Sequence, residues 1–350
     1  MELILNPSPD SRLIALQHWL KSIAPTHSLD PETLQPASSD ASFRRYFRLN
    51  GNGRTVIVMD APPKHEDCQP FLHVSQLLAD AGLNVPTILA QDPGQGFLLL
   101  SDLGKQTYHQ AIQAGLDDTR LQQLYRDAIG ALVQMQQART TGLPAYDQER
   151  LTNELALFPQ WYAQRHCQAQ LDHTEQATLQ KAFATLVEDN VRQATVLVHR
   201  DFHSPNLMVC DRPEYGPNPG VIDYQDALAG PLSYDLASLV MDARTTWEEP
   251  QQLDWAIRYW EAARLADIAV PHDFADFHRA YEWMSLQRNL RILGVFARLS
   301  HRDHKDHYLQ HMPRVNAYVR QVASRYGVFT PLLRLLDKLD NRQVAVGYTF

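Results

Sequence analysis

The sequence predicts an α+β protein of two lobes, a small antiparallel β-rich lobe at the N-terminus and a larger, mostly helical lobe after it. Three observations lead there. Short apolar runs joined by turn residues crowd the first hundred positions. Long helical periodicities dominate from about 107 to 192 and again after 233. Between them, one β-rich segment (196–223) holds a polar loop between hydrophobic strands, an arrangement that positions chemistry on a rigid support.

Each element has a local reason. Asp10 or Ser11 can N-cap a helix carrying Leu13, Ile14, Leu16, Trp19, Leu20 and Ile23, which Pro25 is expected to end. RYFRL (45–49) and RTVIVM (54–59) read as strands joined through Asn50-Gly51-Asn52-Gly53, because Asn-Gly accepts the positive φ of a tight hairpin. Residues 70–81 read as a helix stopped by Gly82, and 86–90 and 96–100 as strands turned by Asp92-Pro93-Gly94. Helices are expected over 118–139, 149–166 and 173–192, then a hairpin over 196–223. No internal repeat or low-complexity segment interrupts the pattern.

Bulk properties exclude several classes. With 350 residues, 44% hydrophobic and 21% charged, the chain has the composition of a soluble globular protein too long for one small core. A formal charge of −8 argues against a general nucleic-acid binder, which needs a basic surface. Cys68, Cys167 and Cys210 are far apart, so neither a disulfide framework nor a cysteine metal site is indicated. MELILNPSPDSR has no basic n-region or long apolar core, and no apolar run reaches a membrane-spanning length; a cytoplasmic protein with no membrane or nucleic-acid partner is expected.

The chemistry is concentrated in VLVHRDFHSPNLMVC (196–210). His199-Arg200-Asp201 and Asn206 form H-R-D-x-x-x-x-N, and after the turn DRPEYGPNPG a second strand delivers GVIDYQDA with Asp223 at its end. Phosphoryl transfer needs this set: one carboxylate to take a proton from an attacking hydroxyl, and an amide and a second carboxylate to hold Mg²⁺ against nucleotide phosphates.

On these residues the chain resembles the aminoglycoside phosphotransferase and choline kinase branch of the protein-kinase-like fold, with His203 standing where protein kinases usually have Lys. The resemblance implies ATP as donor, Asp201 as catalytic base, and Asn206 and Asp223 as Mg²⁺ ligands. It implies that Asp235, in PLSYDLASLV, braces the catalytic loop from a helix start, where Ser233 would serve as N-cap. It makes GFLLLSDLG (96–104) the hinge, with Ser101 and Leu103 offering backbone groups to adenine. The expected boundaries are then 1–100 for the nucleotide lobe, 101–104 for the hinge and 105–350 for the catalytic lobe. Two departures stand out. The Gly-rich turn is replaced by Ser38-Ser39-Asp40-Ala41-Ser42-Phe43, and Met59 occupies the place of the phosphate-binding Lys, with no Glu in FLHVSQLLADAG to pair with one. Arg44 and Arg45 are the nearest substitutes, or else members of a solvated strand face. The loss also leaves open a module that binds nucleotide without transferring phosphate.

The acceptor is read from charge. Arg288, Arg291, Arg298, Arg302 and Lys305 crowd one late helical stretch, with Arg288 and Arg291 expected opposite the stripe Trp283, Leu286, Leu290, Leu293. This bias favours a neutral or anionic acceptor over the polycationic aminoglycosides and makes Arg288 and Arg291 candidate substrate residues, expected to meet a carboxylate on the acceptor. Within the branch, SDASFRRYFR, VIVMDAPP and IDYQDALAGPLSYDLASLVMDA are similar to the bacterial cell-wall-recycling sugar kinases that act on N-acetylmuramate and N-acetylglucosamine at the anomeric hydroxyl. That resemblance implies an amino-sugar substrate; an aminoglycoside or choline type of acceptor is the alternative. His304, His307 and His311 would share one helical face, read as solvated rather than metal-binding.

Overall fold

The computed structural model describes residues 10–39, 43–51 and 53–340. The chain divides into two compact units, Met1–Lys105 with Met208–Asp226, and Gln106–Leu207 with Ala227–Phe350.

In the first unit, helix α1 (Ser11–His27) starts on Asp10, whose carboxylate accepts the N–H groups of Arg12 and Leu13. It runs past Pro25, which sits in the last turn, and closes where Ser28 takes a positive φ and bonds its N–H to the Ala24 carbonyl. Strand β1 (Leu29–Ser39) pairs antiparallel with β2 (Arg45–Gly51), and β2 with β3 (Arg54–Asp60). The sequence gives no strand signal for β1: LDPETLQPASS holds two prolines and no apolar alternation. Its place at the sheet edge, with register shifts after Asp30 and Pro36, is what tolerates them. Helix α2 (Gln69–Asp80) follows, then β4 (Ile88–Asp92) and β5 (Phe97–Ser101), giving the order β1-β2-β3-β5-β4. The β4–β5 turn requires Gly96: its φ is +76°, and a Cβ would lie 1.8 Å from the Ala61 carbonyl oxygen. Leu16, Trp19 and Leu20 of α1 pack on Phe47, Leu49, Val56, Val58, Phe97 and Leu99.

The second unit comprises α3 (Tyr108–Gln113), α4 (Asp118–Gln136), α5 (Gln148–Leu155), α6 (His173–Asn190), α7 (Tyr234–Val240), α8 (Glu249–Leu265), α9 (Phe274–Asp303), α10 (Met312–Arg325) and α11 (Thr330–Leu339). The helix expected over 149–166 is α5 followed by a π-helical segment, Phe158–His166, with Pro159 at its start. There α9 comes so close that a Cβ on Gly294 would lie 2.5 Å from the Leu157 carbonyl carbon. The 30-residue α9 is buried on most of its circumference, and its middle holds Glu282, Ser285, Gln287, Arg288 and Asn289 out of solvent. The basic face expected opposite the Leu286–Leu290 stripe is therefore interior, and Arg288 is only 4% exposed.

The expected hairpin over 196–223 is two short ladders. Thr195–Val198 pairs with Leu228–Pro231, whereas Leu207–Met208 pairs with Gly220–Val221. The shared histidine face does not form, because α9 ends at Asp303, His304 takes a positive φ, and a 3₁₀ segment, Asp306–His311, follows. Among the described residues no His/Cys/Asp/Glu group is arranged for a metal, and no helix is long and apolar enough to cross a membrane.

Candidate active site

The H-R-D loop of the second unit is held by one carboxylate. Asp235, in the first turn of α7, is buried and accepts the His199 N–H at 2.6 Å and the Arg200 N–H at 3.0 Å. Arg200 has a φ of +78°, a conformation that costs a non-glycine residue about 1–3 kcal/mol and that these bonds help to hold. Burial pushes the Asp235 carboxyl up to about 6 against the opposing pull of His199 and the two amides. Ser233 does not cap α7 as expected; its hydroxyl donates to Gln193 Oε1 at 2.7 Å instead.

The loop then closes on itself. The His203 N–H and Asn206 Nδ2 both donate to the Asp201 carbonyl at 3.0 Å, and the Asn206 N–H donates to the His203 carbonyl at 2.9 Å. Burial would raise the Asp201 carboxyl, but His203, Arg291, Arg288 and His199 outweigh it and hold it below the ordinary carboxylate range. The charges around Asp201 thus favour its carboxylate form. Burial drives His203 down to about 4, so its imidazole is neutral.

The two arginines singled out in α9 differ in their surroundings. Glu154 of α5 binds Arg200 Nη2 at 2.7 Å and Arg291 Nε at 3.2 Å and accepts the Tyr146 hydroxyl. Arg291 is therefore charge-compensated by an ion pair, although its Nε makes no hydrogen bond among the described residues. Arg288 is buried, and its Nε and Nη1 have no hydrogen-bond partner among the described residues. Unpaired buried donors are costly, and a ligand offering acceptor oxygens would relieve that cost. Glu154 was invisible to sequence reasoning, since nothing in QERLTNEL marks one acid as a hub.

The first unit carries the other expected residues. Asp223 has a φ of +65° and accepts Gln225 Nε2 at 3.0 Å. Met59 is wholly buried, and its neighbour Asp60 is the acid of a small network with Arg12 and Arg45, the latter also bound to Asp10. Arg45 is therefore spent on two carboxylates. Arg44 pairs with Glu66 at 2.9 Å and lies in the field of Asp223 and Asp226. The Ser101 N–H is committed to the Thr87 carbonyl at 2.9 Å. Leu103 packs with Met208 and Cys210, beside Tyr215 and Ile222, as an apolar patch. Between them Asp102 is locked by Arg48 (2.6 and 3.0 Å), the Thr55 hydroxyl (2.6 Å) and the Gly104 N–H (3.0 Å), a set that sequence reasoning missed. Asp40, Ala41 and Ser42 of the expected nucleotide turn lie outside the described residues.

Residues 33–283 match the model of the phosphotransferase enzyme family. The chain belongs to that family, and its fold is the two-lobe, protein-kinase-like α+β architecture expected from the sequence. It is 44% identical over 340 residues to the N-acetylmuramate/N-acetylglucosamine kinase of Pseudomonas aeruginosa, covering 95% of this chain and 98% of that one. Identity to the kinase of the same name from Neisseria meningitidis serogroup B is 42%, over 97% and 99% of the two chains. Among solved structures, the ADP-bound aminoglycoside phosphotransferase APH(2'')-Ib aligns with a TM-score of 0.58 at 14% identity, covering 89% of this chain and 99% of that one. The ethanolamine kinase of Plasmodium vivax aligns at 0.60 and 9% identity, over 90% of each chain.

Proposed function

We propose that this phosphotransferase is an ATP- and Mg²⁺-dependent kinase of amino sugars, phosphorylating N-acetylmuramate and N-acetylglucosamine on the anomeric C1 hydroxyl in the recycling of cell-wall sugars. The carrying observation is near-full-length similarity to kinases named for those two sugars. In this reading the ionised Asp201 takes the proton of the anomeric hydroxyl as its oxygen attacks the γ-phosphorus, and the bond to the leaving ADP oxygen breaks. An anomeric hydroxyl is more acidic than an ordinary alcohol, so one carboxylate base suffices.

Asn206 and Asp223 would hold Mg²⁺, which when bound offsets phosphate charge. Their amide and carboxylate oxygens suit a hard ion that takes its remaining ligands from phosphates and water. Arg44, with Glu66 beside it, stands for the cation–carboxylate pair lost at Met59; Arg45 is the weaker substitute because Asp10 and Asp60 already neutralise it. Residues 101–104 join a nucleotide lobe, 1–100, to a catalytic lobe, 105–350. There Leu103 and its apolar neighbours supply the adenine seat, and Ser101 acts through groups other than its committed N–H. Arg288, with its unpaired N–H groups, binds acceptor oxygens at the reacting end, and Arg291 supports it from Glu154. The buried guanidinium of Arg288, two of whose nitrogens lack a hydrogen-bond partner among the described residues, also disfavours a polycationic aminoglycoside.

Phosphorus NMR of the products from ATP, Mg²⁺ and a panel of amino sugars, choline and aminoglycosides tests the reading. The expected product is a sugar phosphate whose phosphorus couples to the anomeric proton. Phosphate on a 6-hydroxyl, or ATP left unspent with every acceptor, refutes it.

A further inference from the structure

The second unit contains a basic cluster that the chemistry above does not use. Buried Asp242 accepts the Ser204 N–H at 3.2 Å, the Ser204 hydroxyl, and the Arg244 N–H at 2.9 Å. This clamp joins the catalytic loop to the turn after α7 and sets Arg244 Nη1 3.5 Å from His203 Nε2. Arg314, in the first turn of α10, reaches the same turn, its Nη1 donating to the Ala243 carbonyl at 3.1 Å. Helix α3, which carries His109, packs on Ser204–Asn206. His109 and His311 both feel Asp242, Arg244 and Arg314.

Two features make this cluster a candidate site rather than a brace. First, its charges do not balance: two guanidiniums, those of Arg244 and Arg314, stand at the turn that carries the one carboxylate of Asp242. Second, the Nδ1 atoms of His109 and His203 and the Nε of Arg314 are buried without a hydrogen-bond partner among the described residues. His203 is more than nine-tenths buried. An excess of positive charge with unsatisfied polar atoms fits an anion, and the planar guanidinium fits a carboxylate. The cluster shares His203 with the surroundings of Asp201. Arg288 acts on Asp201 and His203, whereas Arg244 acts on His203, His109 and His311.

We propose that Arg244 and Arg314, with His109 and His311 beside them, form the subsite for a carboxylate carried by the acceptor sugar, the group that separates N-acetylmuramate from N-acetylglucosamine. This rests on the functional reading above and adds to it the residues that recognise the acid.

The test compares kcat/KM for the two sugars in the full-length wild type, Arg244→Gln, Arg314→Gln and Arg314→Lys. Each Gln variant should lose about ten- to a hundredfold more on N-acetylmuramate than on N-acetylglucosamine, through KM rather than kcat. Arg314→Lys should recover part of the loss, because a point charge replaces only part of a guanidinium. Turnover of N-acetylglucosamine by the same preparations controls for folding. Equal losses on both sugars, or no loss on either, overturn the subsite while leaving the kinase reading intact. A wild type that phosphorylates neither sugar overturns both.

Discussion

Replacing Glu154 by Gln probes the support of the catalytic loop at the point where two cations share one acid. The carboxylate lies 2.7 Å from Arg200 Nη2 and 3.2 Å from Arg291 Nε, with the Glu154 side chain 13% exposed, so solvent screening is weak. Removing one partner of a buried ion pair costs about 3–5 kcal/mol. Glutamine has the same volume, leaves no cavity and keeps an oxygen for the Tyr146 hydroxyl or one guanidinium, which points to the lower end, about 3 kcal/mol. At 1.4 kcal/mol per tenfold, that is about a hundredfold in the folding equilibrium. Urea unfolding followed by fluorescence would measure it, with an unchanged m-value confirming that stability alone has moved. Activity gives a second readout. Two uncompensated guanidiniums near Asp201 favour its carboxylate further, so the acid limb of the kcat/KM profile should move to lower pH. In a double-mutant cycle, Arg291→Met should cost less in the Glu154→Gln background than alone. A loss below about 1 kcal/mol, or an acid limb displaced upward, would refute the reasoning.

Four further outcomes are expected. Asp201→Asn should lower turnover about 10²–10⁴-fold while nucleotide affinity is retained, and near-normal turnover would remove it as the base. Asp223→Ala should raise the Mg²⁺ requirement more than Asn206→Ala, because it removes a charge; an unchanged Mg²⁺ titration would sink the assignment. Arg44→Ala should weaken transfer more than Arg45→Ala, whose partners are Asp10 and Asp60; the reverse order in steady-state rates would reassign the lost Lys. His203→Gln should flatten acid unfolding. With a folded value of about 4 against an ordinary 6.5, only the unfolded chain binds this proton in that window. Its stability contribution is therefore present above pH 6.5 and lost as pH falls toward 4, about 3 kcal/mol in all. Proton uptake on unfolding between those pH values should drop by one in the variant; an identical slope would contradict a buried neutral imidazole.

Sequence alone determined the parts of this protein whose contacts are local. Asp201 and Asn206 are legible at a fixed spacing because the loop bonds to itself across five residues. The β2–β3 hairpin is legible because β-forming runs flank a glycine, Gly53, that takes the positive φ of the turn. Asp235 could be named as a brace only through the family resemblance, since its bonds to His199 and Arg200 span about 35 positions. The tertiary structure alone decided which charges are free. Periodicity assigned Arg288 and Arg291 to a basic surface, but a hydrophobic stripe says only which face is apolar, not whether other helices cover the rest. Once α9 is enclosed, the role of each of its arginines depends on the nearest acid, and Glu154 reaches Arg291 from a helix more than a hundred residues earlier. The same holds for β1, whose prolines forbid a central strand and whose edge position is available only because β2 is already paired to β3. Side-chain charges separated by tens or hundreds of residues leave no period in the sequence, because their pairing is set by how whole elements pack.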